Sequence, residues 1–214
     1  MKKGVLIGKL GITGGIGAGK TLVSQFVQDL GIPVITLDEV AKSIMNSDAQ
    51  VRSEIIKMFG DESYYNDQLN TSYLAKAAFG EGKVERLNKI IHPRVYDFLD
   101  QEEARLIKSG MRYMAVESAL MLKHGRPEHY AVIVLVEAKK NLTFARVKSR
   151  NQWSDREIEA RFQSQTSFFS KAELLPDRDI IIENNSTKQE LKSKVDRLVI
   201  HFKSVCDSLL QSHD

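Results

Sequence analysis

The run Gly14-Gly15-Ile16-Gly17-Ala18-Gly19-Lys20-Thr21 constrains this 214-residue chain more than any other feature. It fits G-x-x-x-x-G-K-[ST] in full, a pattern that works only between a strand and a helix. Glycines let the backbone turn its N–H groups inward around a polyphosphate, where side chains would crowd it. The following helix aims its positive end at the same anion. Lys20 adds a mobile charge for the β- and γ-phosphates, and the Thr21 hydroxyl can ligate Mg²⁺. The segment from Gly15 to Thr21, with Leu22 just beyond, is therefore the expected nucleotide-binding loop. It implies a nucleoside triphosphate and leaves the phosphate acceptor open. Guanine-selective proteins add N-K-x-D, and Asn88-Lys89-Ile90-Ile91 lacks the Asp, which disfavours a GTPase.

The surrounding pattern alternates short β-type runs with longer helical ones, which predicts an α/β fold with a parallel sheet flanked by helices. Strands are expected at residues 9–13, 33–37, 113–116, 131–136 and 180–182. The run at 131–136 is continuously apolar, as a strand buried on both faces requires. A helix over 20–30 carries Leu22, Val23, Phe26, Val27 and Leu30 on one face and ends at Gly31. Between about 49 and 109 the pattern is mostly helical, without a strong strand. One helix ends near Phe59-Gly60, a polar turn-rich stretch runs over 61–70, and a second helix starts at Thr71. A third runs from Lys83 into His92-Pro93, where the proline is expected to end it and open the next. Ser154–Glu157 and Thr187–Glu190 match the capping box. The C-terminal helix, with Leu191, Val195, Leu198, Val199 and Phe202, is expected to pack on the core.

Composition excludes other classes. Hydrophobic residues at 42% and charged residues at 28% are ordinary for a globular chain. A formal charge of +3 does not call for nucleic acid or a membrane. Lys2 and Lys3 precede a short apolar run that Lys9 interrupts, and nothing approaches the ~20 apolar residues of a membrane span. Cys206 is the only cysteine, so no internal disulfide can form and a reducing cytoplasm fits. No heptad or exposed apolar stripe is evident, leaving a monomer or weak homo-oligomer as the expectation.

Outside the loop, the candidate residues each carry two readings. Asp38 follows the second strand, at the sheet edge where ligands bind in open α/β folds. It could orient an acceptor hydroxyl and take its proton, or simply cap a helix. Arg146 and Arg150 lie four apart on one helical face, with Arg161 on the next helix. They could close over a transferring phosphoryl group or form a solvated basic face. His92 could touch substrate or be structural. Asn184-Asn185-Ser186 could line a nucleotide base or make a turn.

In order and spacing these segments resemble the dephospho-CoA kinases, P-loop kinases that complete coenzyme A. The landmarks are residues 11–21, residues 30–41 around Asp38, Ile91-His92-Pro93, Arg146 with Arg150, Gln165, and Glu183-Asn184-Asn185-Ser186. The resemblance implies one P-loop kinase domain with its core at about 8–47, 111–138 and 179–214. A helical substrate-binding insertion would span about 48–110, and a lid about 139–178. It implies ATP and Mg²⁺ as cofactors and dephospho-CoA as the small-molecule substrate, with no nucleic acid or membrane partner. Lys20 and Thr21 would hold the ATP phosphates and Mg²⁺. Asp38 would be the catalytic carboxylate on the ribose 3′-hydroxyl, and Arg150 a catalytic lid arginine. Asn184 and Asn185 would fall beside the adenine, and His92 on the substrate side. The chain departs from the family at Thr36, usually the first Asp of Asp-x-Asp, at Lys123, usually Glu, and at Asn151, usually Asp. Glu117 would restore a carboxylate to the substrate pocket. These departures keep two alternatives in view: a P-loop kinase for another nucleoside or nucleotide hydroxyl, and an ATP-binding regulatory protein with impaired catalysis.

Overall fold

The computed structural model describes residues 7–80, 83–151, 153–165 and 171–211. Lys2, Lys3 and parts of the expected lid therefore lie outside the described residues. In chain order the elements are β1 (Gly8–Gly14), α1 (Lys20–Asp29), β2 (Val34–Thr36), α2 (Leu37–Ser47), α3 (Ala49–Phe59), β3 (Tyr64–Tyr65), β4 (Gln68–Leu69) and α4 (Thr71–Gly80). They continue with α5 (Val84–Lys108), β5 (Tyr113–Glu117), β6 (Val132–Glu137), α6 (Lys140–Arg150), α7 (Asp155–Gln165), β7 (Ile180–Glu183) and α8 (Lys188–Gln211). The chain divides into two compact units, Met1–Ile35 with Gly110–Asp214, and Thr36–Ser109.

The first unit is built on a five-stranded parallel sheet in the order β2-β5-β1-β6-β7. In β1, Ile12 lies opposite Glu117 of β5 on one side and Val134 of β6 on the other. The chain leaves the central strand in one direction and later returns to its other side. That reversal makes the C-terminal end of β1 a topological switch point, where open α/β sheets bind ligands. The expected strands all form, each within a residue or two, except that Leu37 belongs to α2. Gly31 closes α1 with φ 81° and donates its N–H to the Gln28 carbonyl at 2.9 Å.

The apolar stripes of α1 and α8 cover one face of this sheet. Val23, Phe26 and Val27 meet Leu191, Val195, Leu198 and Phe202 over Leu10, Ile12, Val132 and Val134. Each such side chain contributes about 1.5–3 kcal/mol by leaving water. Cys206 is buried in the same cluster, and that burial pushes its thiol up to about 11, so it stays protonated and inert at neutral pH. A buried ion pair ties the loops at the other end of β6. Arg126 donates to both Asp179 carboxylate oxygens at 2.7 and 2.9 Å. The same carboxylate accepts the N–H groups of Ile133 and Leu175 at 2.7 and 2.8 Å.

The helical unit has its own core, in which Val51, Ile55, Phe59, Leu74 and Ala78 are buried. One expectation is corrected here. Pro93 does not end a helix: α5 runs 25 residues straight through it. Pro removes one N–H donor, yet the buried stripe Ile91, Val95, Leu99, Leu106 continues on both sides, and packing carries the helix across. The polar, turn-rich stretch over 61–70 holds no strong strand, only a short pairing. Tyr64 pairs with Leu69 and Tyr65 with Gln68 in a two-residue hairpin. Asn66 and Asp67 make the turn at φ 47° and 59°, the left-handed conformations that suit the twist of a tight hairpin. Among the described residues no helix is long and apolar enough to cross a membrane.

Candidate active site

The phosphate loop leaves β1 with its shape fixed from three sides. At Gly14 (φ 148°) a side chain would drive into the Val136 carbonyl of the neighbouring strand. At Gly19 (φ 108°) it would collide with the side-chain amide of Asn184. That amide donates to the Ala18 carbonyl at 2.8 Å, and the Asn184 backbone N–H donates to Glu137 at 2.7 Å. Arg146 completes the brace. Its guanidinium donates to the carbonyls of Gly17 at 3.3 Å, Ala18 at 3.5 Å and Asn184 at 3.0 Å. With loop carbonyls held outward by these donors, the loop is set before any anion arrives, the preorganisation that electrostatic catalysis requires.

Lys20 opens α1, and its ammonium donates to the carbonyls of Gly14 at 2.9 Å and Gly15 at 3.4 Å. Thr21 is exposed in the first turn of α1. The glycine cradle, the ammonium and this hydroxyl together form a donor set that fits a nucleotide polyphosphate with its Mg²⁺. A cavity of about 610 Å³ opens beside the loop, walled by Ile16, Ala18, Val136, Thr143, Phe162 and Asn185 among others. Asn185 forms part of that wall, its side-chain oxygen accepting the Lys139 N–H at 2.7 Å.

Glu117 ends β5 next to β1 and is buried, accepting the Ser24 hydroxyl at 3.1 Å. Spacing placed Arg146 and Arg150 on one helical face, but the two do different things. Arg146 grips the loop, whereas Arg150 is exposed with no hydrogen bond or ion pair among the described residues. Arg161, on α7, lies over the Trp153 ring at 3.9 Å. The capping box expected at Ser154 forms reciprocally: Glu157 accepts the Ser154 N–H at 2.8 Å, and Ser154 accepts the Glu157 N–H at 3.3 Å. At Thr187 the forward bond, from the Glu190 N–H, is 3.2 Å.

In the helical unit, Asp38 lies in the first turn of α2, and the cap position belongs to Thr36, whose side chain makes no capping bond. The capping reading of Asp38 therefore falls away. Its carboxylate is exposed and accepts no hydrogen bond among the described residues. His92 is exposed on α5, its ring edge-on to Tyr96 at 6.1 Å.

Sequence spacing gave no sign of two contacts. One is the Arg146 brace, between residues 129 and 128 positions apart. The other joins Gln165, at the end of α7, to the loop: its side-chain oxygen accepts the Ile16 N–H at 2.9 Å. Each needs the sheet order to bring distant segments together, and no local pattern encodes that.

A parallel sheet in this order, with a complete phosphate loop leaving its central strand, defines a P-loop kinase fold. The family model for dephospho-CoA kinase matches residues 9–190. A dephospho-CoA kinase from Salinibacter ruber is 38% identical over 187 residues, covering 86% of this chain and 92% of that protein. A crystal structure from Thermus thermophilus superposes with a TM-score of 0.71 at 23% identity, covering 91% of this chain and 97% of the other. The dephospho-CoA kinase from Campylobacter jejuni does so at 0.59 and 18%, covering 92% and 98%. The chain belongs to the dephospho-CoA kinase family, a family of phosphotransferases that use ATP on small-molecule substrates.

Proposed function

We propose that this chain transfers the γ-phosphoryl group of ATP to the ribose 3′-hydroxyl of dephospho-CoA, giving CoA and ADP. The observation that carries the reading is Lys20, held on the Gly14 and Gly15 carbonyls of a braced phosphate loop in a chain of this family. In the transfer a bond forms from the 3′-oxygen to the γ-phosphorus, and the bond from that phosphorus to the β–γ bridging oxygen breaks. The hydroxyl proton passes to Asp38, which orients the acceptor, and then to solvent. Lys20 neutralises the β- and γ-oxygens. Thr21 would hold Mg²⁺, which when bound spreads the charge of the same oxygens. Arg150, exposed and unpaired among the described residues, closes on the transferring group. Glu117 and His92 contact the acceptor, and Asn184 and Asn185 flank the adenine. Residues 139–178 act as the lid, and the single buried Cys206 suits a reducing cytoplasm.

The test is ADP release from purified protein with Mg-ATP, with and without dephospho-CoA, with CoA confirmed by mass. Acceptor-dependent ADP with matching CoA is the expected result. ADP without CoA, or a nucleoside preferred over dephospho-CoA in a panel of acceptors, overturns the substrate assignment.

A further inference from the structure

The peptide unit between Gly15 and Ile16 is claimed at both ends. Its carbonyl accepts the Lys20 ammonium at 3.4 Å, and its N–H donates to the Gln165 side-chain oxygen at 2.9 Å. A cation from α1 and an amide from α7 thus meet the loop at one peptide bond. We infer that Gln165 is a contact for the terminal phosphate of the bound nucleotide, standing in for the Ile16 N–H that it occupies.

Chemistry fixes which way the amide faces. Ile16 presents a donor, so only the Gln165 carbonyl oxygen can meet it, and the NH₂ group on the same carbon must point elsewhere. Among the described residues that NH₂ donates to nothing, although Gln165 is only half-exposed. An unspent neutral donor beside a polyphosphate cradle is matched to a phosphoryl oxygen, and a hydrogen bond to a charged acceptor is among the stronger ones.

The same peptide says which phosphate. N–H groups near the start of α1 cradle the α- and β-phosphates, whereas the loop lysine serves β and γ. Lys20 is already seated on the Gly14 and Gly15 carbonyls, so this limb of the loop is its terminal-phosphate end.

Gln165 is also delivered there by a built scaffold. Ile158 anchors α7 in the interior, Phe162 packs on Phe144 at 6.3 Å between ring centres, and Lys140 pairs with Glu159 at 2.5 Å. These contacts tie α7 to α6, and Arg146 ties α6 to the loop carbonyls. Gln165 therefore reaches the loop at the end of a braced path.

This inference rests on the ATP reading above and is tested separately from it. Calorimetry would measure binding of Mg-ADP and of a non-hydrolysable Mg-ATP analogue, without acceptor, to wild type, Gln165→Ala and Gln165→Glu. The analogue should lose about tenfold in Gln165→Ala, the scale of one hydrogen bond to a charged group, with ADP affinity kept within about twofold. Gln165→Glu is isosteric and keeps the oxygen for Ile16, but replaces the donor with a charge that repels phosphate. It should lose more analogue affinity than Gln165→Ala, and its kcat should fall while the KM for dephospho-CoA holds. Equal losses for ADP and the analogue would overturn the inference, because Gln165 would then only shape the loop. Tighter binding of both in Gln165→Ala would also overturn it, showing a cap that nucleotide must displace. Wild type binding neither nucleotide would instead sink the ATP reading, and this inference with it.

Discussion

Around the phosphate loop, side chains from distant segments hold the backbone: Arg146 spans three carbonyls, Asn184 holds Ala18, and Gln165 takes the Ile16 N–H. In the helical unit Asp38 stands differently. Asp38 is exposed with no hydrogen-bond partner among the described residues, and His92 is exposed with its ring against Tyr96. A site that binds a polyphosphate gains from rigidity, because donors fixed in advance need no reorganisation when charge arrives. A residue that must take a proton from an incoming hydroxyl gains from having no prior commitment. On this contrast, substitutions near the loop should disturb phosphate binding, phosphoryl transfer or stability, whereas Asp38 and His92 should affect turnover and substrate use with the fold intact.

The largest effect should come from Lys20→Ala. Removing the charge that neutralises the β- and γ-oxygens should lower kcat by about 10³-fold or more, on the scale of other cationic groups in phosphoryl transfer. ADP release in the presence of dephospho-CoA measures it. Full activity in the variant would mean the braced loop is not where the phosphates sit.

Next in size is a stability effect in the same unit. The Asp179 side chain is 0% exposed and its Arg126 partner 9% exposed. Burial alone would push the Asp179 carboxyl up. The bonds from Arg126 and from the Leu175 and Ile133 N–H groups outweigh it and hold the group below its ordinary 3.8. A carboxyl depressed by folding contributes stability that is complete above its unfolded value and is lost as pH falls through the folded one. Asp179→Asn strands a buried guanidinium and should cost about 3–5 kcal/mol at neutral pH. It should also flatten the acid limb of the stability curve, which denaturant titrations between about pH 2 and 7 would reveal.

How much of this was legible beforehand divides along physical lines. The phosphate loop, the sheet strands and the α1 stripe are local patterns, and period and spacing record them directly. Pro93 misled because a helix-breaking residue was weighed without the stripe that bridges it: Ile91, Val95 and Leu99 keep the helical period across the proline. The hairpin at Asn66-Asp67 was hidden by two-residue strands too short to show alternation. The contacts that Arg146 and Gln165 make, and the Arg126–Asp179 pair, were out of reach for another reason. Their partners are set by the order β2-β5-β1-β6-β7, and a single sequence carries spacing along the chain but not adjacency across the sheet. Thr36 shows the reverse case, where structure settles a local question: it holds the cap position of α2, so Asp38 is released from that role.

Asp38→Asn tests the open side of the contrast. The amide keeps the shape and can still hydrogen-bond a hydroxyl, but it cannot take the proton. Turnover should fall by about 10²–10³-fold, within the range of general-base catalysis. ATP affinity should hold, and thermal stability should move by no more than about 0.5 kcal/mol, as for an exposed group without partners. Unchanged turnover would remove this carboxylate from the chemistry. A large loss of stability would mean that Asp38 is structurally committed after all.

His92→Ala should give the smallest effect and draws the contrast most finely. If His92 contacts the acceptor, its loss removes binding shared by ground state and transition state, so KM for dephospho-CoA should rise a few-fold with kcat nearly unchanged. ATP binding has no reason to respond. His92 is exposed on α5, so the substitution should shift stability by no more than about 0.5 kcal/mol. Steady-state kinetics with dephospho-CoA varied at saturating ATP separates the two constants. A fall in kcat at unchanged KM would move His92 from holding the acceptor to taking part in the transfer, and would leave the helical unit with two chemical groups instead of one.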